Sequence, residues 1–216
     1  MKHVIFLILC CTSLFCYSQT KKVYQITRTA QAPIIDGKLD EAIWNTAQVA
    51  THFIQFRPDI GNTPEDNKRT EVKMTYDDDA IYIAAYLYDY PEDMMRQFTQ
   101  RDNFGQSDFF GIIINPNNDA QNNTEFFIFS SGTQADAIES PGMGEDFDWN
   151  AVWYSAVKIV ENGWIVEVKI PYRALRFTQQ EHPTWGIQFH RHYRKTRNQY
   201  TWNAIDVTKG NAGLYN

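Results

Sequence analysis

The 216-residue chain carries 20 Lys and Arg against 26 Asp and Glu, which gives a formal net charge of −6. This acidic balance argues against nucleic acid as the main partner, because phosphate backbones are bound by clustered cations. The length allows one sizeable domain or two small ones. Aromatic residues form 15% of the chain, and they suit both sheet faces and sites that stack on sugar rings.

The first 18 residues have the pattern of a secretory signal peptide. Lys2 and His3 precede an apolar run at 4–15, and small residues come just before Gln19, where cleavage is expected. The apolar run is too short to span a membrane. We therefore predict an exported chain that begins at Gln19 and folds as one domain over residues 19–216.

All three cysteines, Cys10, Cys11 and Cys16, lie in this segment. Disulfides, thiolate catalysis and Cys-ligated zinc are therefore excluded from the mature chain. Lys2 is the only charged residue lost with the signal, so the net charge changes from −6 to −7. An exported domain without disulfides depends on its core, which favours a reasonably large β structure.

Short strands follow one another along the first part of the mature chain. They are predicted, in order, at 21–28, 52–56, 70–76, 81–88, 109–114, 124–130 and 134–139. Asp40 is placed to cap a short helix that carries Trp44. The polar stretches at 57–68, 89–106 and 140–148 are predicted as loops.

The strongest local pattern is a β-hairpin in the second half of the chain. Two alternating runs at 153–160 and 164–170 flank Asn162-Gly163, a dipeptide that tolerates the positive φ angles of a hairpin turn. Pro171 ends the second strand, since it cannot donate a hydrogen bond to a neighbouring strand. Alternation divides that strand between two faces: Trp164, Val166, Val168 and Ile170 on one, and Ile165, Glu167 and Lys169 on the other.

Two more strands, at 185–193 and 199–203, complete a set of about ten short strands with two helical turns. Regular spacing of short strands with few helical segments is typical of a β sandwich. The predicted fold class is therefore all-β, a sandwich with one or two short helices.

Sugar recognition requires flat aromatic faces and polar groups that bond hydroxyls. Trp149 and Trp153 stand at a loop rich in Gly and Asp, and they are the predicted stacking residues. Trp153 begins a strand, so a core position is an equal alternative. Arg101, Asp102 and Asp108 flank another loop and could bond sugar hydroxyls. The alternative for these three is a salt bridge that locks the loop.

Metal binding is a second hypothesis for several polar residues. Asp36 and Asp40 could bind a cation, although turn and cap chemistry is the commoner role of such aspartates. The acidic turn at 77–79 allows the same two interpretations, with calcium as the ion. His190 and His192 share one strand face, but no third ligand follows at a spacing diagnostic of zinc.

Catalysis would depend on paired carboxylates. The candidates are Glu125, Glu139, Glu145 and Glu167, and nothing in their spacing pairs two of them across a cleft. The chain also lacks a nucleophile elbow, a P-loop and a dinucleotide-binding fingerprint. The sequence therefore does not predict an enzyme.

Several dispersed motifs resemble family 9 carbohydrate-binding modules. They are IDGKLDE with Trp44, YDDDAIYI at 76–83, Trp153, GWIVE at 163–167, and IPY with Leu175. The resemblance covers about residues 34–193. It implies a jelly-roll-like β sandwich, calcium bound structurally, and non-catalytic binding of an oligosaccharide or polysaccharide between tryptophans. A role in carbohydrate catabolism is part of that expectation.

A narrower resemblance is to exported bacterial proteins in which such a module precedes a membrane-bound β-barrel domain. Its motifs are RDN at 101–103, EDFDW at 145–149, and WGI with His190 and Arg191. It implies a fragment of a longer protein, located in the periplasm or at the outer membrane or cell surface of a Gram-negative bacterium.

This context leaves two alternatives to glycan binding. One is an interaction module that docks on the barrel and binds no sugar. The other is part of a glycoside hydrolase. A basic cluster of Arg191, Arg194, Lys195 and Arg197 is either a solvated turn or such a docking surface.

Overall fold

The computed structural model describes residues 21–119, 121–178 and 184–208. The predicted signal peptide and the end of the chain lie outside the described residues. The strands are β1 Thr27–Arg28, β2 Val49–Ala50, β3 Ile54–Arg57, β4 Thr70–Tyr76, β5 Ala80–Tyr88, β6 Phe109–Asn115, β7 Asn123–Phe129, β8 Gln134–Ser140, β9 Gly144–Asp146, β10 Tyr154–Val160, β11 Gly163–Pro171, β12 Gly186–Tyr193 and β13 Asn198–Thr201. One short helix, α1, spans Ala42–Thr46, and single 3-10 turns lie at Asp66–Lys68 and Tyr172–Ala174. In these parts of the chain, none of the helices has the length and apolar character needed to cross a membrane.

The strands form two sheets. The first has the order β1-β4-β5-β11-β10, with β2 also paired to β4, and the second has the order β3-β13-β12-β6-β7-β8-β9. The pairing of β1 with β4 is parallel, whereas the long neighbouring strands in both sheets pair antiparallel. The prediction of an all-β sandwich is confirmed.

The core fills the space between the two sheets. Trp164, Val166, Val168 and Ile170 of β11 are fully buried, as their alternation predicted. They join Phe126 and other apolar side chains of the second sheet in one cluster. Each such aliphatic side chain stabilises the fold by about 1.5–3 kcal/mol when it leaves water.

The opposite face of β11 is covered as well, which the sequence did not predict. Glu167 is 0% exposed and accepts backbone N–H groups of Asp36, Gly37 and Lys38 at 3.0, 2.8 and 3.2 Å. The indole N–H of Trp44 also donates to this carboxylate, at 3.3 Å. The N-terminal segment thus lies across the first sheet and is fastened to it by one side chain.

The predicted cap of the short helix is wrong. Helix α1 begins after Glu41, which occupies the N-cap position and makes no side-chain capping bond. Asp40 lies one residue before this position, and the Glu41 side chain accepts the backbone N–H of Ile34 at 2.8 Å instead of capping the helix.

The predicted hairpin is present. Strands β10 and β11 pair from Tyr154 opposite Lys169 to Val160 opposite Gly163. Gly163 has φ of 144°, and a Cβ at this position would lie 2.2 Å from the carbonyl oxygen of Leu87. Glycine is therefore needed both for the backbone angle and for the close approach to β5.

Several strand boundaries differ from the prediction by one or two residues, and larger differences occur near β1, β3 and β9. Only Thr27–Arg28 of the first predicted strand pairs with a neighbour, and His52, with φ of 59°, precedes β3. Strand β9 lies inside the predicted loop 140–148, where it pairs with β8. Its three residues show no apolar alternation, so pairing alone makes them a strand.

Candidate functional site

The loop that carries Arg101 and Asp102 meets the segment 148–153 at β8, where the buried carboxylate of Asp136 holds both in place. Asp136 is 0% exposed and accepts hydrogen bonds from the Arg101 guanidinium, the Ala151 backbone N–H at 2.6 Å and the Trp153 indole N–H at 3.2 Å. Asp102 in turn accepts the backbone N–H of Asp136 at 3.1 Å. Asp136 therefore fixes the segment 148–153 against the second sheet.

Arg101 and Asp102 lock the loop that contains them. The guanidinium of Arg101 also donates to Gln134 at 2.8 Å and to the side chain of Asn150 at 3.2 Å. Asp102 has φ of 64°, a left-handed conformation that suits an Asp in a turn. The salt bridge of Arg101 with Asp136 matches the structural alternative given above for Arg101.

Trp153 belongs to the core. Its ring is 5% exposed and packs edge-on against Phe126, with 5.2 Å between centroids. Its indole N–H is already bonded to Asp136. The core position that the sequence left open is the one observed, and the ring offers little surface for stacking on a sugar.

Asp108 is bonded to other partners than Arg101 and Asp102, with which it flanks one loop. It is 1% exposed, accepts the backbone N–H of Arg194 at 2.8 Å and lies 3.9 Å from Arg191. Arg191 is fully buried and pairs with Asp89 at 3.4 Å. Burial raises the pKa of both carboxylates, and the charge of Arg191 acts in the opposite direction.

Trp149 borders a cavity of about 320 Å³ at the end of β6, β7 and β8. Its indole is partly exposed and contacts Phe126 edge-on at 6.5 Å. The polar residues of the lining are Asn117, Asp119 and Asn122 from the turn between β6 and β7, Thr124 from β7, and Arg176 from the corner after β11. This cavity joins one aromatic wall to amide, carboxylate and guanidinium groups.

The sequence pointed to Trp149 but missed the polar groups beside it. Asn117, Asp119 and Asn122 fall in a stretch rich in Asn and Asp that predicts only a turn. Arg176 follows the corner that Pro171 begins. The pairing of β6 with β7 and the position of the corner bring these groups to one place, and neither is a local property of the chain.

A second concavity, open and shallow, lies on the other side of the segment 148–153. It has a volume of about 430 Å³ and is lined by Arg101, Gly132, Gln134, Trp153, Tyr154 and Ser155. Tyr154 is 48% exposed, while the Gln134 amide is bonded to the Ser155 hydroxyl at 2.8 Å. Most polar groups of this groove are therefore satisfied within the protein.

Asp36 and Asp40 do not fit a calcium site. Asp36 pairs with Lys38 at 2.6 Å, and that hydrogen bond holds its pKa below the usual range. An ammonium group beside the carboxylate would repel a second cation. In the described ranges no three His, Cys, Asp or Glu side chains are grouped so that they could hold a metal ion.

The acidic turn at 77–79 serves the backbone. Asp77 accepts the backbone N–H groups of Asp79 and Ala80 at 2.8 and 2.9 Å and the hydroxyl of Tyr82 at 2.8 Å. Asp78 pairs with Arg28 at 2.6 Å. These bonds are those of a capped turn rather than of a calcium loop.

His190 and His192 are packed among aromatic rings. His190 is bonded to the Gln199 side chain at 3.1 Å and contacts Phe56 and Phe109 edge-on at 5.3 and 5.0 Å. Burial lowers the pKa of His190 to about 3 and that of His192 to about 4. Both rings are therefore neutral near pH 7.

The four candidate carboxylates are not arranged around either concavity. Glu139 lies opposite Glu145 across β8 and β9, but Glu139 is buried and bonded to Asn123 at 2.8 Å. Glu125 is buried on β7, and Glu167 is held by the N-terminal segment. None of the four lines the Trp149 cavity or the shallow groove.

Comparison with solved structures supports the fold. A family 9 carbohydrate-binding module from Caldicellulosiruptor kristjanssonii in complex with cellotriose superposes with a TM-score of 0.61 at 19% identity, over 88% of this chain and 89% of that one. The same organism's module in complex with glucose gives a TM-score of 0.62 at 19% identity, over 90% and 92% of the two chains. At this identity the likeness concerns the fold alone.

A curated relative is endo-1,4-beta-xylanase A of Thermotoga neapolitana. It is 28% identical over 156 residues, which cover 67% of this chain and 12% of the xylanase. The chain thus spans about an eighth of that relative's length. The family described as carbohydrate family 9 binding domain-like matches residues 35–213, which is most of the sequence. The chain therefore belongs to the carbohydrate family 9 binding domain-like family.

Proposed function

We propose that this domain is a non-catalytic carbohydrate-binding module whose site is the Trp149 cavity. The observation that carries the proposal is the partly exposed indole of Trp149 inside a concavity ringed by amide, carboxylate and guanidinium side chains. The apolar C–H face of a pyranose packs on such a ring, and the planar polar groups bond the hydroxyls at its edge.

The cavity wall is held in place before a ligand arrives. Ala151, two residues after Trp149, donates its backbone N–H to the buried Asp136 at 2.6 Å. Phe126 supports the indole from the core. A side chain fixed in this way loses little conformational freedom on binding, and such preorganisation favours affinity.

Short glucose-based oligosaccharides are the proposed ligands. Two of the structural neighbours are complexes with cellotriose and with glucose. The family to which the chain belongs supports a carbohydrate ligand as well. We also propose that the domain is exported and contributes to polysaccharide catabolism. A structural calcium ion remains a proposal from the family resemblance, without ligands at Asp36 and Asp40.

Isothermal titration calorimetry with cellotriose tests the proposal. Trp149→Ala should weaken binding at least about tenfold, because the stacking face is lost. Phe98→Ala is the matched control, since Phe98 is 81% exposed and lies outside the cavity lining. Circular dichroism of both variants establishes that they are folded. Equal affinity for the wild type and Trp149→Ala would place the site elsewhere.

Docking on a C-terminal barrel domain is the alternative of a different class. Two of the four cations suggested for it are paired with acids: Arg191 with the buried Asp89, and Lys195 with Asp93 at 2.6 Å. Arg194 donates to the neutral side chain of Gln106 at 2.8 Å. A folded protein that binds no saccharide in the titration would favour this alternative. The glycosidase alternative gains no support from the positions of the four carboxylates.

A further inference from the structure

Arg176 is the arginine that borders the Trp149 cavity. Its side chain is exposed and lines the Trp149 cavity. Several other arginines are neutralised by acids, as in the pairs Arg28–Asp78, Arg69–Glu71, Arg101–Asp136 and Arg191–Asp89. Within the described ranges, Arg176 has no carboxylate at salt-bridge distance. The cavity therefore presents a guanidinium whose donors are available to a ligand.

The carboxylate that shares the cavity is used in part by its own loop. Asp119 accepts the backbone N–H of Gln121 at 3.0 Å through one oxygen. Its second oxygen is left to accept from a hydroxyl. Asn117 and Asn122 offer neutral amides on the same side of the lining. With Thr124, the polar groups of the lining thus divide into one cation, one anion and three neutral groups around a single indole.

We propose that the Trp149 cavity selects a saccharide that carries an anionic group, and that Arg176 binds this group. The inference rests on the proposed function of the same cavity. A guanidinium presents a planar pair of N–H donors that matches a carboxylate in two parallel hydrogen bonds. The ligand class is therefore a pyranose with a uronate carboxylate, and a sulfate ester is the second source of the same charge.

The overall charge of the protein does not favour acidic sugars, so a preference for them must come from the contact with Arg176. With a net charge of −6, the domain repels acidic polysaccharides at long range. At physiological ionic strength, charges more than about 8 Å apart are largely screened from each other. The contact with Arg176 therefore decides whether an acidic sugar binds. Binding of an acidic sugar should accordingly depend on the guanidinium itself and not on the general potential.

Calorimetry with a matched pair of disaccharides tests the inference. Cellobiose and cellobiouronic acid differ by one carboxylate, and the wild type should bind the acid about tenfold more tightly, as expected for a charge-assisted hydrogen bond. Arg176→Gln should abolish this preference, because it should weaken binding of the acid more than binding of cellobiose. Arg173→Gln is the matched control, because Arg173 is exposed three residues away and does not line the cavity.

Asp119→Asn should change the affinity for the acidic disaccharide in the direction opposite to Arg176→Gln. Removing this negative charge should strengthen binding of the acid about threefold, since a like charge within the cavity is lost. A 6-sulfated cellobiose that shows the same dependence on Arg176 would support the anionic class. Equal affinity for the neutral and acidic disaccharides, or a loss as large in Arg173→Gln as in Arg176→Gln, would overturn the inference. Absence of binding to both would overturn the proposed function as well.

Discussion

Glu167 joins the centre of β11 to the N-terminal segment through hydrogen bonds that are all donated by N–H groups. Three come from the backbone at Asp36, Gly37 and Lys38, and one comes from the Trp44 indole. Burial raises the pKa of Glu167 to about 7, against the lowering effect of these N–H donors. A carboxylate in this position determines where the whole segment lies on the sheet.

Replacing Glu167 by alanine should destabilise the domain strongly. Three backbone N–H groups and an indole N–H would lose their acceptor, and we expect a loss of about 3 kcal/mol in the free energy of unfolding. Urea denaturation measures it. Glu161→Ala, at an exposed position in the hairpin turn, is the control and should change stability by less than about 0.5 kcal/mol. If the two substitutions lowered the free energy of unfolding equally, water would be accepting the hydrogen bonds that the Glu167 carboxylate accepts in the wild type.

Residue roles were predictable only where they depend on nearby sequence. Trp149 and Trp153 are four positions apart in similar surroundings. The Phe126 ring contacts both, and Trp153 in addition donates its indole N–H to the buried Asp136 on β8. Arg191 and Asp89 are separated by 102 residues, so a charge pattern could not reveal their pairing. Long-range ion pairs of this kind have no local signal in the sequence.

Among the elements, the hairpin β10–β11 was predictable because its causes are local. Asn162-Gly163 supplies the turn, and alternation in β11 supplies the buried face. What the sequence could not show is that the second face of β11 is also covered, because the covering segment lies more than a hundred residues earlier. Strand β9 was missed for a different reason: its three residues carry no apolar alternation, and its pairing with the nearby β8 defines it.

Gly163→Ala should disrupt this hairpin. The backbone angle of 144° is strained for alanine, and the new Cβ would collide with the carbonyl oxygen of Leu87 on β5. We expect a loss of about 3 kcal/mol or more in unfolding free energy. Gly142→Ala is the matched control, because Gly142 also has a positive φ, of 81°, but no atom lies within 4 Å of its Cβ position.

Thermal unfolding followed by circular dichroism compares the two variants. Gly142→Ala should cost about 1 kcal/mol, from backbone strain alone. The difference between the two variants then measures the close approach of β11 to β5. Equal melting temperatures would contradict the role assigned to this contact.

At the scale of the whole molecule, buried polar groups connect the two sheets. Arg191 on β12 lies over the Trp164 ring of β11 at 4.8 Å and pairs with Asp89, which follows β5. Several of the buried acids have raised pKa values, whereas the two buried histidines have lowered ones. As the pH falls, the raised pKa values of the acids increase stability and the lowered pKa values of the histidines decrease it. The contribution of one group is therefore measured as the difference in unfolding free energy between the wild type and a variant that lacks it.

His192→Leu isolates one of the histidines. The pKa of His192 is about 4 in the fold and about 6.5 in an unfolded chain. Acid therefore protonates the unfolded state first, and the stability that the neutral ring contributes above pH 6.5 is lost as the pH falls toward 4. Relative to His192→Leu, the wild type should lose about 1.2 kcal/mol per pH unit between pH 6 and 4.5.

Urea denaturation at pH 7.5, 6 and 4.5 measures this difference between the wild type and the variant. His52→Asn is the control: it removes an exposed histidine, and asparagine tolerates the φ of 59° at that position. Its stability should follow that of the wild type across the range. If the unfolding free energies of the wild type and His192→Leu instead changed in parallel with pH, His192 would be protonated in the folded state without global unfolding. The contact with Phe109 at 4.9 Å would then be one that opens in the native state.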